Sequence, residues 1–374
     1  MDDFFNKLRH WLFAIFHIIT LLLSCMILCP LYFIKTIGLY NTSRLMDYYI
    51  ITVQYTSHIL VVWVLGVKIY VYKHKNLSDG FKYSDTILLT ANHLSELDPM
   101  YIGIMYDFYF KSKSHITSFV KQTLRFYPLI NSLLLSSDTI FVENKNTQQN
   151  RLQHIYITNK LQTDEYKNRT VLIFPEGTTY SQKVKEYRES NAIKNNTPVY
   201  NNLLIPKTNG LHLIRKNANI GDEFNIVMKF ISRKDNDDHN LAGILQGQTP
   251  KEVHLMLIKN DEKFDDKIME IENRHLFDNY VFDSFSKMDK ILDKNITTWS
   301  IGDYVKTLVK PSWESIFWSL FYILILLTII PLIFTNKYIA SYTLLSIIFF
   351  YIMAFLEFRK NSNKRIDETK EKID

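Results

Sequence analysis

The chain has 374 residues, 47% hydrophobic and 14% aromatic, with a formal net charge of +6. That supplies one sizeable core plus membrane segments, or two modest domains. The sequence contains no zinc-ligand spacing, no nucleic-acid-binding signature and no internal repeat, so its basic balance fits an anionic membrane surface better than nucleic acid. No metal site is expected. The only cysteines, Cys25 and Cys29, both lie in the first apolar stretch, so disulfides do not organise the fold.

Residues 11–34 carry no formal charge. A helix of about 20 apolar residues spans a bilayer core, and this run is long enough. It is also too long for a signal-peptide core. Residues 48–66 are apolar but hold Gln54, Thr56, Ser57 and His58 together. They either return through the membrane or lie in its interface.

The middle of the chain repeats one pattern, a short apolar run ending abruptly in polar residues. Ile87-Leu88-Leu89-Thr90 leads into Ala91-Asn92-His93, and Thr170-Val171-Leu172-Ile173-Phe174 into Pro175-Glu176-Gly177-Thr178. Leu203-Leu204-Ile205 leads into Pro206-Lys207-Thr208. Runs of this length and composition predict buried strands. Residues 100–109 and 151–161 have helical spacing, and residues 225–230 and 253–258 read as further strands. Strands alternating with helices predict an α/β domain with a mixed, largely parallel sheet flanked by helices. In such sheets ligands bind beyond the carboxyl ends of the strands, where all three polar motifs are expected.

Residues 316–334 and 338–356 are apolar and separated only by Thr335, Asn336 and Lys337, which predicts a transmembrane hairpin. Lys306 and Lys310 precede it, and Arg359, Lys360, Lys364 and Arg365 follow. The positive-inside tendency puts both ends, and the hydrophilic middle, in the cytosol. The expected organisation is therefore membrane-anchoring helices over 1–72, a cytosolic domain over 73–300, a transmembrane hairpin over 301–358 and a charged tail over 359–374.

His93 and Asp98 are five apart and Pro99 follows directly, which argues against a regular helix at Asp98. A turn after the strand can fold the carboxylate onto the imidazole, leaving the other ring nitrogen as a general base. Taken alone, such a pair reads more simply as a turn cap. Ser95 is a nucleophile by type, but its position suits a turn or capping role.

Asn92-His93-Leu94-Ser95-Glu96-Leu97-Asp98 resembles the NHxxxxD motif of the glycerophospholipid acyltransferase family, and Phe174-Pro175-Glu176-Gly177-Thr178 resembles its FPEGT motif. Pro206-Lys207-Thr208 with Gly210 resembles the family's Pro-Arg/Lys-Thr block. Residues 121–128, then Ile140-Phe141-Val142-Glu143, resemble the block between the first two motifs. Ser190-Asn191-Ala192, residues 203–210, Pro250-Lys251-Glu252-Val253-His254 and the C-terminal hairpin are similar to the lysocardiolipin and lysophosphatidylinositol acyltransferase branch.

The resemblance implies an acyl-CoA-dependent O-acyltransferase with no resident cofactor, acting on a lysophospholipid in the endoplasmic reticulum membrane. His93 and Asp98 would be catalytic. Asn92, Glu176, Gly177 and Thr178 would bind substrate, with Lys121, Arg125 and Lys207 as basic candidates. Family members acting on lysophosphatidic acid often carry Arg after FPEGT and in the second block, where this chain has Thr179 and Asn144. Arginine grips a terminal phosphate bidentately. Its absence points to a phosphodiester acceptor such as lysophosphatidylinositol, with lysophosphatidic acid as the alternative. Lys121, Arg125, Lys145 or Lys207 are the other sources of charge. A CoA-independent transacylase, similar to tafazzin, and a non-catalytic membrane-shaping protein are the remaining readings.

Overall fold

The computed structural model describes residues 2–77, 86–110, 116–127, 129–142, 157–158, 161–162, 169–194, 197–233, 239–260, 274–300 and 302–370. The chain divides into two compact units. The first comprises Met1–Trp11, Ser57–Ser112 and Leu161–Ser312; the second comprises Leu12–Thr56, Lys113–Lys160 and Trp313–Asp374.

The chain begins with α1 (Asp2–Thr36) and α2 (Ser43–Ile59), which runs on into a π-helical turn at Leu60–Val64. The first unit's sheet is built from β1 (Lys68–His74), β2 (Thr86–Ala91), β5 (Thr170–Ile173), β6 (Ile220–Ile231), β7 (Glu252–Lys259) and β8 (Tyr304–Leu308). Its order is β5-β2-β6-β7-β1-β8. The β2–β5, β2–β6 and β1–β7 ladders are parallel, while β6–β7 and β1–β8 are antiparallel. β2 and β5 are buried at every position. That is why they read as unbroken apolar runs, as strands covered on both faces do.

Side chains alternate across β6. Phe224 and Phe230 meet Phe110 and Tyr101 of α3 (Asp98–Phe110) at ring separations of 5.4 and 5.7 Å. On the other face Asn225 accepts no such packing: its amide donates to Ser284 at 2.8 Å, and Lys229 donates to the Leu292 carbonyl at 2.6 Å, both on α8 (Arg274–Asp293). α8 turns Phe277, Val281, Phe285, Met288 and Leu292 inward at helical spacing. Helices therefore cover both faces of the sheet. α5 (Gln182–Lys194), α6 (Thr208–Asn217) and the short α7 (Leu241–Leu245) complete the unit. The opening turns of α1 also belong to it: Asn6 donates to the Gly247 carbonyl at 3.0 Å, and His10 Nε2 meets the Thr249 hydroxyl at 2.9 Å.

The second unit holds the rest of α1, most of α2, the parallel pair β3 (Ile116–Lys121) and β4 (Ile140–Val142), α4 (Ile130–Ser136), α9 (Trp313–Thr335) and α10 (Lys337–Lys370). Cys25, Leu28, Met46, Leu135, Phe141, Phe350 and Ala354 form one core; Leu23, Val53, Tyr322 and Leu326 form another. Polar bonds tie its helices together, with the Tyr49 and Tyr322 hydroxyls 3.1 Å apart and Tyr342 donating to the Met26 carbonyl at 2.8 Å. Among the described residues, three helical segments are long and apolar enough to cross a membrane: Phe4–Thr36, Trp313–Thr335 and Lys337–Leu356. The expected hairpin is present as α9 and α10. α2 is not among the three.

Two expectations need correction. Residues 203–205 are coil, not a strand. Leu203 and Leu204 are buried all the same, so their apolar character reports packing without pairing. Asp98 is helical, standing at the first position of α3. Pro99 is compatible with this because the opening turn of a helix has no partner for its N–H groups. The expected helix over 151–161 lies mostly outside the described residues.

Candidate functional site

β2 ends at Ala91, and the chain then makes a tight turn before α3. Asn92 is fully buried. Its side chain spans to β6, donating to the Met228 carbonyl at 3.0 Å and accepting from the Met228 amide at 2.7 Å. Both polar ends of Asn92 are thus committed to main chain, which gives it the work of fixing the turn to the sheet.

The turn brings Asp98 back to His93. His93 Nδ1 lies 2.8 Å from Asp98 Oδ2, and the same oxygen accepts from the Leu94 and Ser95 amides. Asp98 is completely buried, and burial pushes its carboxyl up from the usual range. The His93 ring and the two amides oppose that shift by stabilising the anion. The imidazole also stacks on Phe174, with centroids 4.2 Å apart and planes 21° off parallel. Carboxylate on one ring atom and aromatic face on the plane fix the ring in two directions, leaving Nε2 for chemistry. Ser95 is spent elsewhere: its hydroxyl donates to the His239 carbonyl at 2.6 Å and accepts from the Leu97 amide at 3.2 Å.

β5 runs into the second motif. Pro175 and Glu176 form a turn closed by the Gly177 amide donating to the Phe174 carbonyl at 2.9 Å. Gly177 has φ +66°, where a side chain is strained. Glu176 is buried, and no side chain hydrogen-bonds its carboxylate oxygens among the described residues. Burial holds its carboxyl well above the ordinary value; the His93 and Leu204 amides and Arg188 pull it down, and Asp98 pushes it further up.

Lys207 comes to this turn through its main chain, its amide donating to the Pro175 carbonyl at 2.8 Å. A Cβ on Gly177 would lie 3.4 Å from Lys207 Nζ. The third polar motif therefore joins the other two from a loop ahead of α6, not from a strand end. Thr178 and Thr179 are partly buried just past the turn.

Lys121 and Arg125 belong to the second unit. Lys121 ends β3 and is exposed, while Arg125 is buried with its guanidinium 4.2 Å above the Phe141 ring. Asn144, Lys145, Glu143 and Pro128 lie outside the described residues. Sequence reasoning passed over Phe174 as a ring partner of His93, and Arg188, whose charge acts on Glu176 from α5. Phe174 opens the FPEGT-like motif, which does not disclose its ring partner, and Arg188 has no distinguishing sequence signal.

What the site offers is an imidazole with one ring nitrogen held by a buried carboxylate, beside a glycine turn at positive φ bearing a buried acid. No group of three or more metal-ligating side chains occurs among the described residues.

Residues 68–216 match the family model described as Acyltransferase, a segment that contains the His93 turn, the Glu176 turn and Lys207. A similar curated protein is described as "Probable 1-acyl-sn-glycerol-3-phosphate acyltransferase 5" from Arabidopsis thaliana, 27% identical over 197 residues. That match takes in 50% of this chain and 50% of the relative, so the chain spans about half the relative's length. Among solved structures, the crystal structure of the 1-acyl-sn-glycerophosphate (LPA) acyltransferase PlsC from Thermotoga maritima is similar at 13% identity and TM-score 0.48, covering 79% of this chain and 100% of that one.

Proposed function

We propose that this chain is a membrane-bound acyl-CoA-dependent acyltransferase that esterifies the free glycerol hydroxyl of lysophosphatidic acid. The observation that carries the reading is the His93–Asp98 pair beside the Glu176–Gly177 turn. The description of the Arabidopsis relative supports the choice of acceptor.

His93 Nε2 takes the proton of the hydroxyl as its oxygen attacks the thioester carbonyl. The carbon–oxygen bond forms, the carbon–sulfur bond breaks, and the proton passes from His93 to the departing thiolate or to solvent. Asp98 holds the imidazole in one orientation and stabilises the imidazolium that forms between these steps. General-base assistance of this kind is worth about 10²- to 10⁴-fold. A thiolate leaves readily, so no acyl-enzyme is needed. Acyl-CoA is the donor, and the three apolar helices keep the enzyme at the membrane that holds its acceptor. The endoplasmic reticulum, with the first unit facing the cytosol, is the compartment that fits acyl-CoA supply.

A second acceptor, lysophosphatidylinositol, is favoured by one observation. Thr179 follows the glycine turn where a phosphate-gripping arginine would suit a monoester. Purified protein given labelled acyl-CoA with lysophosphatidic acid, lysophosphatidylinositol, lysophosphatidylglycerol or monolysocardiolipin decides between them. Preferential labelling of phosphatidic acid, lost in His93→Ala, is the expected result. Preference for the inositol lipid moves the assignment to the second reading, and no transfer to any acceptor refutes both.

A further inference from the structure

Glu176 is a buried acid approached by the His93 and Leu204 amides, and the positive charge acting on it comes from Arg188. Among the described residues no direct bond joins the two, and the Arg188 charge acts on the carboxyl through space. Arg188 stands on α5, where its Nη1 donates to the Ile205 carbonyl at 3.2 Å. That bond pins the guanidinium against the loop that delivers Lys207 to Gly177. Among the described residues its remaining nitrogens take no hydrogen bond. Lys185, one turn away on the same helix, is already engaged by the Asn201 carbonyl and Glu189. Partial burial lowers the Arg188 pKa and Glu176 raises it, as befits a cation drawn out of solvent by a nearby acid.

We infer that Arg188 binds the phosphate of the lysolipid acceptor, its guanidinium and the Lys207 ammonium flanking the Gly177 turn and setting preference for a phosphate monoester. The inference rests on the proposed acceptor class and explains how a site with Thr178 and Thr179 after its glycine still recognises a dianion. An arginine held by one nitrogen keeps its other edge preorganised for two parallel bonds to phosphate oxygens.

The test uses the full chain in detergent, with Arg188→Gln and Arg188→Lys beside the parent. Binding of short-chain lysophosphatidic acid is read by the shift in thermal midpoint, and acyl transfer by steady-state kinetics with each acceptor. Arg188→Gln should raise KM for lysophosphatidic acid about tenfold or more, the effect of losing a charge-assisted hydrogen bond. KM for acyl-CoA should stay put, the loss with lysophosphatidylinositol should be smaller, and Arg188→Lys should recover part of the binding. Equal losses for all acceptors, or no change in KM or in the ligand-induced shift, overturn the inference. If the parent binds lysophosphatidic acid through Arg188 but transfers no acyl group, the inference stands and the proposed reaction falls. If the parent does not bind it, the inference falls too.

Discussion

Asn92 and Met228, 136 residues apart, are joined by a matched pair of hydrogen bonds, the asparagine side chain imitating a neighbouring strand against the Met228 peptide groups. The residue beside His93 thereby fixes where the turn that carries the imidazole begins. Asn92→Ala should leave two buried main-chain groups unpaired at about 1–3 kcal/mol. Lower thermal stability together with reduced turnover is expected. A variant with unchanged midpoint and lowered KM selectivity would instead mark Asn92 as a substrate contact.

Asp98→Asn tests the pair itself. The amide cannot stabilise an imidazolium and can present a donor where His93 needs an acceptor. Turnover measured by release of free coenzyme A should fall about 10²-fold or more, with acceptor KM little changed. Retained turnover would remove Asp98 from the mechanism.

Ser95→Ala separates the general-base route from a serine nucleophile. The hydroxyl is bonded to the His239 carbonyl and the Leu97 amide. Its loss should cost about 1 kcal/mol of stability and leave most of the transfer rate. Abolished transfer by a folded variant, with a trapped acyl-enzyme in the parent, would argue for covalent catalysis.

Glu176→Gln carries a pH signature. A carboxyl held above its ordinary range binds its proton more tightly folded than unfolded. Its contribution to stability is complete below the unfolded value and is lost as pH rises through the folded one. The glutamine variant lacks that loss. Its melting temperature should decline less than the parent's as pH rises above the ordinary carboxylate range, while transfer to lysophosphatidic acid drops. Parallel melting curves across that range would contradict a costly buried acid.

The sequence was most legible where burial is uniform. β2 and β5 are covered on both faces and announce themselves as apolar runs, and the His93 and Glu176 motifs follow directly from their ends. β1 and β8 escaped notice because each leaves several positions open to solvent, Lys68 and Lys306 among them. Lys306 flanks the C-terminal hairpin in sequence, and in the fold it also lies 4.0 Å over the Tyr70 ring from an edge strand. Leu203 and Leu204 misled in the opposite sense, being buried without a ladder. The five-residue interval from His93 to Asp98 suggested a turn, and the turn is there, with the carboxylate already on the first residue of a helix. What no local pattern could supply are the pairings between distant segments: Asn92 with Met228, Phe174 with the imidazole, Arg188 with Glu176.

The bond from Lys207 N–H to the Pro175 carbonyl joins the loops of the second and third polar motifs through atoms that every residue except proline possesses. The register between the two loops is thus set by a peptide group, while the Lys207 side chain lies along the Gly177 turn. A junction made of main-chain atoms survives substitution at either loop, so the Gly177 turn and the Lys207 loop move as one piece when their side chains change.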